Sequence, residues 1–525
     1  MSHRVMVIGL DSADAGLVDR WCDEGHLPVL RSLRAQGLSG RIGTTADVVH
    51  VSGWPSFYTG TTPDKHGLYH AYVMRPGVQT PERPRPEESP EPFFWRLLSD
   101  AGKRSVVVDA FMNCPLEDFH GTQVLEYGTW TWFSQPGTRP AALQREILDR
   151  FGRYPAEDHS KVLGTPEPAG FRDRLVRGAR TKAEVVRWLM QREPWDFFLV
   201  VFGESHPAGH YFWHLHDPSH PAHPAGGPGG VGGALRDVYV AIDRAIGEIL
   251  AGLDADTTVL VLSVDGMGPN HSGSHLLEEA LKQLGLLVTA DARRPAGQPG
   301  AAAGAGRADL AKRLRNLVPG PLRLAVSRYL LPHDVKQRLA MRWLTADIVW
   351  PETRAFAINN ANEGYLRVNL RGREPQGVVA PGAEYEALCE SLVALSRALV
   401  NPATGRPAAR SVWRADAIFR GPRRDRLPDV IVNWDPAARL TTELFGPACG
   451  LVKASAPWEI VPHYTGNHEP SAFLIARGPG LPAGATLGDA HVLDLAPTLL
   501  AHFGLERTPT MDGTVLPQLL AAVRR

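Results

Sequence analysis

A chain of 525 residues, 43% apolar and 21% charged, is long enough to bury a large core and is no peptide scaffold. Lys and Arg together number 56, as do Asp and Glu, so no charge excess draws the chain toward nucleic acid or an anionic bilayer. The four cysteines, Cys22, Cys114, Cys389 and Cys449, are far apart without a C-x-x-C pair; they indicate neither a disulfide framework nor a cysteine zinc site, and a reducing compartment is expected.

In chain order, Val5 to Leu10 is a continuous apolar run of β-formers, the pattern of a strand buried on both faces of a parallel sheet. It is too short for a signal peptide core and ends in Asp11. No later stretch approaches the roughly 20 apolar residues of a membrane span, so a soluble cytoplasmic protein is expected. Leu17 to Leu33 alternates apolar and charged residues at helical spacing. Ser105 to Asp109 and Asp196 to Phe202 read as further buried strands, Ala234 to Leu250 as a helix, and Thr257 to Ser263 as a strand running into Val264-Asp265-Gly266. Ala, Gly and Pro dominate from Ala290 to Arg307, followed by a basic amphipathic stretch to about Arg342. This predicts an inserted linker and helical cap rather than a second catalytic domain. Ala472 to Ala476 is a late strand. The alternation of strands and helices predicts an α/β fold: a core in two parts, residues 1–289 and 346–525, with an insertion over 290–345.

The strongest local signal is Glu204-Ser-His206-Pro-Ala-Gly-His210, directly after a buried strand. On a helical turn its two imidazoles share one face, which suits a common metal ion; surface coil is the bland alternative, since His214, His216, His220 and His223 follow. Asp11 and Asp265 each end an apolar strand, where an acidic group is costly unless paired or coordinated, although Asp11 also reads as a helix N-cap. His468, upstream of the last strand, is by itself a loop histidine.

Taken as a set, these segments resemble the alkaline phosphatase superfamily in its type I phosphodiesterase and nucleotide pyrophosphatase branch. The similar stretches are Val7-Ile-Gly-Leu-Asp11, Ser52-Gly-Trp-Pro-Ser-Phe-Tyr-Thr-Gly60 with Pro63-Asp-Lys-His-Gly67, Gly203 to Trp213, Ser263 to Pro269, Gly466-Asn-His468 and Asp494-Leu-Ala-Pro-Thr-Leu-Leu. The resemblance implies a central, mostly parallel sheet flanked by helices with an inserted cap. It also implies two metal ions, usually zinc, at the C-terminal sheet edge, with a Thr or Ser between them attacking phosphorus. Carried over by position, the first aspartate is Asp11 and the late histidine His468. The D-x-x-x-H pair becomes His206 and His210, the Asp-His pair becomes Val264 and Asp265, and the nucleophile position falls on His50.

One metal site would then be His206, His210 and His468, the other Asp11, Asp265 and His50. Such a nitrogen-rich set suits Zn, Fe, Cu or Ni better than Mg or Ca, with Mn also open. One or two divalent transition metal ions are expected. His50 is a ligand, or itself a nucleophile or acid/base; alternatively Ser52 or Thr45 takes the hydroxyl role. The leading expectation is a metal-dependent hydrolase or transferase acting on phosphate, sulfate or phosphonate esters of a small-molecule substrate. A repurposed iron or copper centre doing redox chemistry is the second expectation, an inactive binding protein the third. Neither a nucleic-acid surface nor a membrane partner is indicated, and the oligomeric state is open.

Overall fold

In the computed structural model, residues 4–128, 137–156, 167–290, 345–358, 360–454 and 463–520 are described. Most of the expected linker and cap therefore lies outside the described residues. The core is a nine-stranded sheet running Ala485–Thr486, Leu38–Arg41, Phe473–Arg477, Thr258–Ser263, Val5–Leu10, Phe197–Phe202, Ser105–Val108, Gly121–Leu125 and Gly137–Arg139. The five strands from Thr258–Ser263 to Gly121–Leu125 are parallel to one another. Phe473–Arg477 is antiparallel to both its neighbours.

The three central strands carry no exposed residue on either face. Helices cover both sides: Ala15–Asp23, Pro168–Arg192 and Ala234–Leu250 bury one apolar cluster, while Gly53–Thr59, Phe94–Asp100 and Val492–His502 bury another. This is the mostly parallel α/β layering expected of continuous Val/Leu/Ile/Phe runs, which have no polar face to turn to water. A four-stranded antiparallel sheet, Ala409–Arg414, Val430–Trp434, Gly364–Val368 and Ala355–Ile358, builds a separate core beside it. Among the described residues no helix is long and apolar enough to cross a membrane.

The expected element from Leu17 to Leu33 is two helices, Ala15–Asp23 and Pro28–Gln36. Gly25 stands between them with φ of +84°, and Pro28 opens the second helix, where its missing N–H costs nothing. The cap of the first helix is Asp14, whose carboxylate accepts the N–H of Leu17 at 2.8 Å. Asp11 is thereby left available to the sheet edge.

Candidate metal centre

Parallel strands deliver their C-terminal ends to one edge of the sheet, and three of these ends supply the site. Asp11 follows Val5–Leu10, Asp265 follows Thr258–Ser263, and the helix Ser205–His216 starts three residues beyond the end of Phe197–Phe202. The Ser205 hydroxyl donates to the carbonyl of Asp11 at 2.7 Å, tying helix start to strand end. His468 arrives on Gly466–Glu469, which pairs antiparallel with Gly266–Pro269, the segment immediately after Asp265. Helix and hairpin approach closely because two residues lack side chains: a Cβ on Gly209 would meet Met267 Cγ at 2.6 Å, and one on Gly466 would strike the carbonyl of Gly209.

One ring nitrogen from each of His206, His210 and His468 lies within 4.8 Å of the other two. Among the described residues this is the one group of three or more His, Cys, Asp or Glu side chains arranged to hold a metal ion. Each imidazole is held from behind. His206 Nδ1 is 2.8 Å from Asp11 Oδ2, His468 Nδ1 is 2.8 Å from Asp265 Oδ2, and His210 Nδ1 is 2.8 Å from the carbonyl oxygen of Gly466. Ionised carboxylates and carbonyls only accept, so against them the Nδ1 atoms donate and each neutral ring carries its lone pair on Nε2. His206 Nε2 and His210 Nε2 stand 2.9 Å apart. Two unprotonated ring nitrogens at that distance repel unless a proton or a cation lies between them, so the donor set fits a metal ion. Burial lowers the His468 imidazole to about 4, keeping it in the neutral, ligating form.

Asp11 and Asp265 stand behind His206 and His468 on the Nδ1 side, the arrangement that fixes tautomer and raises ligand basicity in histidine metal sites. Both Asp11 oxygens are engaged, since Trp54 Nε1 donates to Oδ1 at 2.7 Å. Asp265 also accepts from the Ser12 hydroxyl at 3.1 Å, while its Oδ1 has no hydrogen-bond partner. Burial, reinforced by the charge of Asp11, raises the Asp265 carboxyl well above the ordinary range. Ser12 itself holds φ of +53°, a left-handed conformation unusual for a residue with a side chain and of the kind found at functional sites.

His50 does not join the three converging imidazoles. Its ring stacks on that of His468, with centroids 4.6 Å apart and planes at 29°. Behind it stands Glu363, which the sequence did not reveal: the carboxylate accepts the backbone N–H of His50 at 2.8 Å and lies 2.7 Å from its Nδ1. Burial acts to raise the Glu363 carboxyl, but the adjacent His50 and the Asn360 amide outweigh it and hold it at about 2.

The hydroxyls of Ser52 and Thr45 belong to a separate buried relay. Ser52 Oγ lies 2.7 Å from both Thr45 Oγ1 and the Val49 carbonyl, which accepts its proton, and Thr45 Oγ1 lies 3.1 Å from Ser56 Oγ. The reason is local: both sit in short 3-10 turns whose geometry directs the hydroxyls onto each other, with Ser52 fully buried. A polar cleft opens beside the centre, bordered by Glu363, His468, Asn467, Asn433, Trp434 and Arg410.

Fold and site together define an α/β protein of the alkaline phosphatase type, with a histidine-rich centre at the carboxyl edge of its sheet. The sequence profile of the type I phosphodiesterase / nucleotide pyrophosphatase family matches residues 5–448, and the chain belongs to that family. No individual curated protein matches the sequence. Among solved structures, phosphonoacetate hydrolase from Sinorhizobium meliloti 1021 in complex with phosphonoformate is similar with a TM-score of 0.50 at 13% identity, covering 94% of each chain. Murine ectonucleotide pyrophosphatase / phosphodiesterase 5 in complex with AMP gives a TM-score of 0.49 at 12% identity, covering 99% of each chain.

Proposed function

We propose that the protein is a metal-dependent hydrolase of phosphate or closely related esters, binding one divalent transition metal ion, zinc first, through His206, His210 and His468. The observation that carries this reading is the set of three imidazoles, each oriented through Nδ1 by an acceptor, with ring nitrogens converging at one point. Family membership supplies the ester chemistry.

An ion bound there supplies Lewis-acid neutralisation of the charge on phosphoryl oxygens. Asp11 and Asp265 hold His206 and His468 in the ligating tautomer. Trp54 fixes Asp11 in turn, so that the ligands keep their geometry as charge develops on the substrate. The cleft beside the centre offers Asn467, Asn433 and Arg410 to a polar substrate body, with the guanidinium suited to an anionic group.

The test is element analysis of protein purified without added metal, followed by turnover of a chromogenic aryl phosphodiester before and after chelation. One zinc per chain, turnover abolished by chelation and restored by zinc, is the expected result. Turnover indifferent to chelation would refute metal dependence. Iron or copper without hydrolysis would move the reading to redox chemistry at the same imidazoles.

A further inference from the structure

We propose that His50 is the phosphoryl acceptor of this centre, passing through a phosphohistidine intermediate, and that Glu363 positions it. This rests on the hydrolase reading above. Three observations converge on it, beginning with place: His50 occupies the position where the resemblance puts a hydroxyl nucleophile, and its ring stacks on His468, one of the three converging imidazoles.

The second is preparation. Glu363 holds both the backbone N–H and the Nδ1 of His50, and is itself held by Asn360 Nδ2 at 2.9 Å and Asn362 Nδ2 at 3.2 Å. The carboxylate accepts a hydrogen bond from Nδ1–H, so in the neutral ring the lone pair is on Nε2. A nucleophile oriented and made more electron-rich by a fixed carboxylate is the general pattern of activated side chains. Glu363 is 4% exposed and His50 11%, so the carboxylate is the more deeply buried partner of the pair and the ring the more exposed one.

The third is the state of the competing hydroxyls. Ser52 and Thr45 are committed to their own relay, and the Ser12 hydroxyl, 1% exposed, donates to Asp265. Of the side chains at the nucleophile segment, His50 alone combines partial exposure, a lone pair and a rigid partner behind it.

The step balances as a double displacement. The Nε2 lone pair forms a bond to phosphorus as the ester P–O bond breaks, and the leaving oxygen departs with its electron pair and takes a proton from solvent. The Nδ1–H stays on the ring, bonded to Glu363. Water then attacks phosphorus, the P–N bond breaks and returns its pair to Nε2, and the water's proton passes to solvent. The net change is ester plus water to alcohol plus phosphate product.

The experiment is rapid acid-free quench of the metal-loaded protein with a phosphorus-labelled aryl phosphate ester. A phosphoprotein stable to strong base, labile to acid and mapped to the peptide bearing His50 is expected, with retention of configuration at a chiral phosphorothioate substrate. His50→Gly should lose the label and on the order of 10³-fold or more in kcat. Its metal content and urea midpoint should be kept, and added imidazole should restore turnover by releasing free phosphoimidazole. Glu363→Gln should lower kcat at least about tenfold with KM nearly unchanged, and Glu363→Asp should regain part of that loss. A base-labile, acid-stable label would assign a hydroxyl and overturn the proposal, as would inversion at phosphorus or label retained in His50→Gly. Absence of turnover with every phosphate ester would instead fail the hydrolase reading, and this proposal with it.

Discussion

Replacing Lys182 by Met tests how the site helix is anchored. Lys182 lies in the helix Pro168–Arg192 and is completely buried, its ammonium 3.1 Å from Asp109 Oδ2, 3.5 Å from Glu204 Oε1 and 2.9 Å from the Val201 carbonyl. Glu204 immediately precedes the helix that carries His206 and His210, and it also accepts from the Tyr154 hydroxyl. At an effective dielectric of about 20, each charge pair is worth roughly 5 kcal/mol, offset by a desolvation cost of several kcal/mol per ion. Burial works against the Lys182 charge, but Glu204 and Asp109 outweigh it and raise its pKa. Met fills a similar volume yet leaves two carboxylates facing each other without a cation, a change that costs about 3–5 kcal/mol. The urea midpoint should fall accordingly with the slope unchanged, and adding Glu204→Gln should recover roughly 1 kcal/mol or more by removing one of the orphaned charges. A Lys182→Met protein within about 1 kcal/mol of wild type would refute the reasoning, since the cation would then not be holding the carboxylates together.

Asp11→Asn keeps the shape but no longer fixes the His206 tautomer, so metal affinity measured by competition with a chelator should fall about 10- to 100-fold. His66 is fully buried, and burial, with a lesser contribution from Arg423, lowers its imidazole from 6.5 to about 3. The unfolded chain therefore binds a proton between those values that the native protein does not. The stability this neutral ring contributes is present above pH 6.5 and lost as pH falls toward 3, at up to about 1.4 kcal/mol per pH unit. His66→Gln should flatten that part of the acid denaturation profile, and an unchanged slope would contradict the assignment. Gly9→Ala places a Cβ against the ring of Trp54, which is 3% exposed and has little room to move. A loss of about 1–3 kcal/mol in denaturant unfolding is expected, together with weaker metal binding through the Trp54 bond to Asp11.

The strands carrying Asp11 and Asp265 were legible because a continuous apolar run has one stable place, the middle of a covered parallel sheet, and its end then falls at the carboxyl edge. His206 and His210 were legible because four residues make a helical turn. The contacts of Asp11 and Asp265 with the imidazoles of His206 and His468 were not, because spacing along a chain does not say which oxygen meets which nitrogen. Glu363 escaped notice for a related reason. It lies 313 positions from His50, between two strands of the smaller antiparallel sheet, and no local pattern distinguishes it from any loop glutamate. The relay that Ser52 and Thr45 form was not legible because a hydroxyl's target depends on turn geometry, which a short motif does not specify.

The position of Phe473–Arg477 has a consequence for how the protein is made. Leu38–Arg41, among the earliest strands to leave the ribosome, touches the parallel strands only through Phe473–Arg477, which lies between it and Thr258–Ser263. His468 reaches the centre just ahead of that same late strand. At roughly 5–20 residues per second, the nascent chain spends tens of seconds with an open sheet edge and an incomplete histidine cluster. Closure of the three-imidazole cluster is thus deferred to the end of synthesis, and a product truncated before Gly466 would carry His206 and His210 without His468.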